Sequence, residues 1–277
     1  MKKNLKYYLK EGLTEDELAL VPTSFDVVGD IMIFSEFPSG LIRKEDIIGN
    51  TILKNYPNIH IVLRKTRKYS GKFRTPKFKI VTGNKKKEAL HKENGIILYL
   101  NVEKTYFSPR MGTERKRIAE LVRQHESILV MFSGCAPYPL VIARNSGCRE
   151  IYGIEINPAA HKYGLINIKK NKLENKIKLF NGDVRKILPK LNRKFDRIIM
   201  PLPKGGEEYL GIALKYSKKG SFIHFYDFLK EGDFDVAVAK IAKACAQAKR
   251  KFEIAGLHKC GEFGPGIFRI CVDFRAL

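Results

Sequence analysis

The chain has 277 residues, 44% of them hydrophobic, which is room for one large core and a smaller one and excludes disorder as the default state. Lys and Arg total 52 against 29 Asp and Glu, a formal net charge of +23, which points to a polyanionic partner, nucleic acid ahead of an anionic membrane. No apolar run of about 20 residues is present, the N-terminus MKKNLKYYLKEG lacks a signal-peptide core, and the five cysteines are irregularly spaced without C-x-x-C. A membrane span, secretion, a zinc site and a disulfide framework are therefore not expected, and a cytoplasmic chain is.

In chain order, 21–35 reads as a short strand pair turning at Gly29-Asp30, and 41–57 as an amphipathic helix ending near Pro57. Residues 59–65 alternate as a strand. A turn at Ser70-Gly71 leads to a second strand carrying Phe78 and Ile80, NKKKEALHKENG reads as a charged hairpin or loop, and 95–107 returns to strand character. Residues 1–105 are thus expected to form a small basic α+β domain.

From 106 the pattern changes. Helices are expected at 114–122, 139–147, 158–175, 207–220 and 233–250, and strands at 127–133, 148–157, 177–183, 196–203 and 221–228. A closing strand pair should pack on the sheet as an antiparallel hairpin. Alternation of this kind predicts an α/β domain with a largely parallel sheet over 106–277. Four segments then fall at strand ends, where ligands bind in such sheets: FSGCAPYP at 132–139, Glu155 with Asn157 and Pro158, Asn181-Gly182-Asp183, and MPLPKGG at 200–206. Singly, Gly134 could be a tight turn and Glu155 or Asp183 an ordinary strand-end acid. In this order they suit a nucleoside-type cofactor: Gly134 for close approach, Glu155 for both ribose hydroxyls, Asp183 for an adenine N–H. Neither G-x-G-x-x-G nor G-x-x-x-x-G-K-[ST] occurs, which sets aside a dinucleotide or ATPase loop.

SGKFRTPKF (70–78), YFSPRMGTERKRI (106–118), FSGCAPYP, IEINP (154–158), NGDVR (181–185) and MPLPK (200–204) resemble the archaeal and eukaryotic tRNA (guanine-37-N1)-methyltransferases, the Trm5-like group, and the related aminocarboxypropyl transferases of wybutosine synthesis. The resemblance runs from VPTSFDVVGDI onward, leaving about 17 residues before it, and implies the short architecture without a further N-terminal domain. It implies a class I S-adenosylmethionine-dependent methyltransferase (Rossmann-like) domain behind a small RNA-facing α+β domain, acting as a monomer on the anticodon loop of tRNA. Methyl transfer to N1 of guanosine 37 is the main expectation; the alternatives are aminocarboxypropyl transfer to a wybutosine precursor and a non-catalytic RNA-binding role.

The resemblance carries roles residue by residue. Arg74 would meet the negative charge developing on guanine O6. Glu114 would be the base for the N1 proton, and Tyr106 and Arg110 would shape the pocket. Phe132, Gly134, Glu155, Asp183 and Pro201 would line the cofactor, with no metal. Each has a plainer alternative: a phosphate contact for Arg74, a helix N-terminal acid for Glu114, packing for Tyr106. Lys65, Arg67, Lys68, Lys72, Lys77, Lys79 and Lys204 would hold phosphates. The chain departs from the family pattern at Val130 for an acid, Ala136 for a second glycine (tolerable if its φ stays negative), and Pro201 for an asparagine.

Overall fold

The computed structural model describes residues 4–71 and 73–277, with the backbone alone for 68–70. The chain divides into two compact units, Met1–Lys92 with Ile97–Pro109, and Glu93–Ile96 with Arg110–Leu277.

The first unit opens with two helices that the sequence reading had not assigned, α1 (Leu5–Leu9) and α2 (Glu15–Leu20). The signal for α2 is in the sequence: Thr14 and Glu17 form a reciprocal capping box. Leu5, Leu9 and Leu13 are buried in a core with Met32, Phe34, Ile48, Ile52 and Val62, so the first residues belong to this fold. A four-stranded sheet runs β1 (Asp26–Val28), β2 (Ile31–Phe34), β3 (Ile61–Ser70), β4 (Thr75–Gly83). The β2–β3 pairing is parallel, made possible by the crossover helix α3 (Glu45–Asn55). The helix expected at 41–57 is split: a 3-10 turn occupies Ser39–Lys44 before α3 begins. A two-stranded sheet, β5 (Glu88–Glu93) with β6 (Ile96–Asn101), decides between the hairpin and the loop that the sequence leaves open at 84–95, in favour of the hairpin. The side chains of β5 alternate around a single buried Ala89, a weak strand signal.

β4 ends at Gly83, whose φ is +94°; a Cβ there would fall 2.1 Å from the His60 carbonyl oxygen. Gly83→Ala is expected to destabilise this unit by roughly 1–3 kcal/mol, read as a loss of melting temperature; an unchanged melting temperature would refute the left-handed assignment.

The second unit alternates α4 (Gly112–Glu120), β7 (Ser127–Met131), α5 (Pro137–Asn145), β8 (Glu150–Glu155), α6 (Pro158–Lys170), β9 (Ile177–Asn181), α7 (Val184–Leu191), β10 (Phe195–Met200), α8 (Leu210–Tyr216), β11 (Ser217–Lys230), α9 (Asp235–Gln247), β12 (Phe252–Gly264) and β13 (Ile267–Ala276). The sheet order is β12-β13-β11-β10-β7-β8-β9. Strands β9, β8, β7, β10 and β11 are mutually parallel; β13 is antiparallel to both β11 and β12. This is the doubly wound class I methyltransferase arrangement expected from the sequence. Two details differ. The terminal hairpin does not pack on the sheet but extends it, because β13 pairs with β11 along its whole length. Helix α7 was not foreseen, since Pro189 lies inside it. Among the described residues, no helix is long and apolar enough to cross a membrane.

Candidate active site

The switch in strand order lies between β7 and β10, and the loops at these strand ends form a ledge of unusual backbone. Phe132, Gly134 and Ala136 all have positive φ (59°, 58° and 71°), so alternate residues turn left-handed before α5 starts. Ala136 therefore does not meet the condition under which replacing glycine costs nothing. It occupies the left-handed region that favours glycine, a strain of about 1 kcal/mol or more, and is held there fully buried.

Glu155, the last residue of β8, is buried and pins this loop. Gly134 N–H donates to its Oε2 (2.7 Å), and Asn157 N–H donates to its Oε1 (2.7 Å). Burial pushes the Glu155 carboxyl above its ordinary value, against the backbone N–H groups that favour the ion. Asn157 caps α6 through Ala159 N–H (3.0 Å), and Asn181 Nδ2 donates to the Glu155 carbonyl (2.8 Å), tying the ends of β8 and β9 together. Asp183 caps α7, its Oδ1 accepting from Arg185 N–H (2.8 Å). Phe132 packs edge-on against Tyr209 (4.8 Å between centroids), which Arg185 covers at 4.3 Å. Pro201 follows β10 in a tight turn where Leu202 N–H donates to the Met200 carbonyl (2.7 Å), so that carbonyl already has a partner. The second unit thus brings Phe132, Gly134, Glu155, Asp183 and Pro201 to consecutive strand ends. A buried carboxylate beside left-handed backbone, with a capping acid on the next strand, fits a cofactor bearing a ribose and an exocyclic amine.

Glu114 lies in the first turn of α4 and is buried. Arg117, one turn on, donates Nε to Oε2 (2.7 Å) and Nη2 to Oε1 (2.8 Å), and the Tyr226 hydroxyl donates to Oε1 at 2.5 Å. The helix N-terminal acid paired with arginine, weighed as the plainer alternative, is thus present as geometry. Arg115 instead pairs with Glu93 (2.5 and 2.6 Å). Arg110 is exposed in the 3-10 turn before α4.

Tyr106 and Arg74 belong to the first unit. Tyr106 is 36% exposed. Arg74 closes the β3–β4 turn with φ +48°, its N–H donating to the Gly71 carbonyl (3.1 Å), a non-glycine residue in a costly conformation. In the β3–β4 ladder Arg67 faces Lys77 across the strands, an arrangement of like charges that a bound phosphate would relieve. Lys79 and Arg64 share the single Glu45 carboxylate, which offsets one of their two charges. Lys65 is half-buried and Lys204 exposed. Lys72 lies outside the described residues, as does the Lys68 side chain.

The sequence reading missed Arg117 and Tyr226, which bind Glu114, and Asp273 and His224, which continue the network beyond Arg117. The available signal was the alternation of FIHFYDF, which places His224 and Tyr226 on one face of an otherwise apolar strand. Among the described residues, His224, Cys271 and Asp273 put three potential metal ligands within 4.8 Å of one another. Both ring nitrogens of His224 and both oxygens of Asp273 are already engaged, two of the partners being guanidinium groups, so the donor set suits a cation of the protein rather than a metal.

Strand order defines the second unit as a class I methyltransferase domain. The family model for the TRM5/TYW2 methyltransferase domain matches residues 89–254, and that for the TYW2 N-terminal domain matches residues 5–86. The chain is 36% identical to the tRNA (guanine(37)-N(1))-methyltransferase Trm5b of Pyrococcus abyssi, over 92% of this chain and 75% of the relative. The crystal structure of that enzyme superposes with a TM-score of 0.89, covering 100% of this chain and 81% of the other at 34% identity. The chain is 34% identical to the Nanoarchaeum equitans tRNA (guanine(37)-N(1))/4-demethylwyosine(37)-methyltransferase Taw22, over 90% of this chain and 98% of the relative. A complex of aTrm5 with tRNALeu superposes with a TM-score of 0.87 at 31% identity, covering 99% and 78%. The chain belongs to the TRM5/TYW2 family of methyltransferases. The N-terminal match begins at residue 5, earlier than the sequence resemblance had placed it.

Proposed function

We propose that this chain transfers the methyl group of S-adenosylmethionine to N1 of guanosine 37 in tRNA. The observation that carries the reading is the buried carboxylate of Glu114, held by Arg117 and Tyr226 in the same unit as the Gly134–Glu155–Asp183 ledge. Guanine N1–H is weakly acidic, so a carboxylate can take its proton only while a cation stabilises O6; Glu114 is the proposed acceptor and Arg74 the proposed cation. Glu155 and Asp183 hold the ribose and adenine of the cofactor, with Phe132, Gly134 and Pro201 as the rest of the wall. The cofactor would supply a methyl on a sulfonium, leaving as the neutral thioether, and Glu114 would take the N1 proton that the methyl replaces. Tyr106 and Arg110 frame the base, which must leave its stack in the anticodon loop to be reached. Lys65, Arg67, Lys68, Lys72, Lys77 and Lys204 hold the backbone phosphates, and affinity falls steeply with salt. We assign the enzyme to the cytoplasm as a monomer; cysteines without disulfides fit a reducing compartment.

A second reading, aminocarboxypropyl transfer to a wybutosine precursor at the same position, is favoured by the TYW2-type N-terminal match. Incubation with S-adenosylmethionine labelled on the methyl, and separately on the carboxypropyl chain, followed by nucleoside analysis of G37 tRNA and of tRNA carrying the wybutosine precursor, separates the two. Methyl label in 1-methylguanosine is expected. Carboxypropyl label in RNA would transfer the assignment, and binding of tRNA without either label entering it would leave an RNA-binding role.

A further inference from the structure

Glu114 stands within an unbroken string of buried and part-buried polar side chains gathered from five elements. Tyr138 on α5 donates its hydroxyl to Tyr226 (3.0 Å), whose own proton is thereby directed to Glu114. On the other side, Arg117 divides its guanidinium between two carboxylates. Nε and Nη2 serve Glu114, while Nη1 donates to Asp273 Oδ2 (2.6 Å) and Nη2 reaches Asp273 Oδ1 (3.3 Å). Asp273 on β13 lies directly opposite His224 on β11, and their side chains meet at 2.6 Å. Beyond His224, Arg197 on β10 donates Nη1 to Nε2 (2.8 Å) and pairs with Glu126.

The tautomer of His224 follows. Arg197 has only donors, so Nε2 accepts, the proton sits on Nδ1, and Nδ1–H donates to Asp273. Burial holds the ring below its ordinary basicity, so it stays neutral. Burial raises the Asp273 carboxyl, but His224 and Arg117 outweigh it and hold that carboxyl far below the usual range. Asp273 is thus a permanent anion whose hold on Arg117 decides how much of the guanidinium charge Glu114 receives.

We propose that Tyr226, directly, and Asp273, through Arg117, are positioning residues that set the proton affinity of Glu114 for the transfer reaction. The inference rests on the reading of Glu114 as the base. The groups facing Glu114 are Arg117 on α4, Tyr138 on α5, Tyr226 on β11, Cys260 on β12, and Cys271 and Asp273 on β13. Burial pushes both tyrosines and both thiols upward, leaving them neutral, so Arg117 and Asp273 are the charges that matter.

The two contacts act in opposite directions. Tyr226 donates to the Glu114 carboxylate, a contact that favours the anion and that Tyr226→Phe removes. Asp273 draws charge away from Glu114; its loss concentrates Arg117 on Glu114 and makes it a weaker base. The test is the pH dependence of single-turnover methyl transfer to G37 tRNA, with cofactor Kd and tRNA KM measured alongside. Tyr226→Phe is expected to move the acid limb up by about one pH unit. Asp273→Asn is expected to move it down and to lower the plateau rate about tenfold, with Kd and KM unchanged in both. Loss of packing alone would move neither limb. Should Asp273→Asn fail to fold, the conservative Tyr226→Phe still decides. An inactive Glu114→Gln together with a wild-type profile for Tyr226→Phe overturns the positioning role. A fully active Glu114→Gln overturns the assignment of the base itself.

Discussion

Arg197→Leu is expected to destabilise the catalytic unit by roughly 3–5 kcal/mol, a fall in Tm of about 10 °C. Arg197 is 2% exposed and among the largest side chains wholly inside the protein. It donates Nε and Nη2 to Glu126 (2.7 and 3.0 Å), Nη1 to His224, and Nη2 to the Leu121 carbonyl (2.7 Å), and its plane lies 5.0 Å from the Phe222 ring. Leucine fills much of the volume, so the loss comes from the acceptors left behind. Glu126 would remain as a buried anion without a partner, the Leu121 carbonyl at the end of α4 would lose its donor, and His224 would lose the contact that fixes its proton on Nδ1. The double variant Arg197→Leu/Glu126→Leu removes both charges together and should regain most of the stability, since a buried pair gives little net stabilisation over apolar residues of like size. Thermal unfolding checks both; a single-variant loss below 1 kcal/mol would mean that water reaches the pair.

Glu155→Ala is expected to weaken S-adenosylmethionine binding at least about 100-fold, taking roughly 1.5 kcal/mol or more for each hydrogen bond to the carboxylate. The side chain has two duties. It would receive the cofactor hydroxyls, and it holds Gly134 N–H and Asn157 N–H, which shape the loop after β7 and the start of α6. Calorimetric titration gives the affinity, and its pH dependence has a defined sign. Burial raises the Glu155 carboxyl, so it gains a proton at a higher pH than an exposed glutamate would. The ionised form accepts the hydroxyls, so affinity is full above the raised value and declines as pH falls through it. Stability of the cofactor-free protein moves oppositely: the buried charge disfavours folding, so this contribution worsens as pH rises from the ordinary glutamate range through the raised value. Affinity independent of pH across that window, or an alanine variant that binds normally, would remove Glu155 from the cofactor site.

Much of the catalytic unit was legible because its strands are apolar on both faces and its helices amphipathic, giving the alternation of a parallel sheet. The strand-end acids Glu155 and Asp183 were legible for the same reason: once strands are placed, their ends are placed too. Helix α7 was concealed by Pro189, and the charged composition of β5 around one buried alanine left hairpin and loop both open there. Ala136 was read as tolerable only with a negative φ, and the sequence could not decide that condition because φ is a property of the loop and not of the residue. The environment of Glu114 was not legible, since Arg117 and Asp273 lie 156 positions apart and meet only because β13 pairs with β11. Sequence places an acid in the first turn of a helix; only the fold shows what divides the charge beside it.

The terminal hairpin has a bearing on how the folded chain meets its own copies. Pairing with β11 puts β12 at the border of the sheet, a 13-residue strand with one row of amide and carbonyl groups facing outward and Ile254, Leu257 and Phe263 exposed. A flat border of that length would template growth of the sheet from one molecule to the next. Its register slips between Ile254 and Gly256, between Lys259 and Gly261, and between Glu262 and Gly264, so the outward row is broken into stretches of only a few residues. Each irregularity also twists the strand, leaving a neighbour no continuous line of groups to pair with. The glycine-rich end of the chain therefore protects a concentrated enzyme against aggregation through its longest open strand.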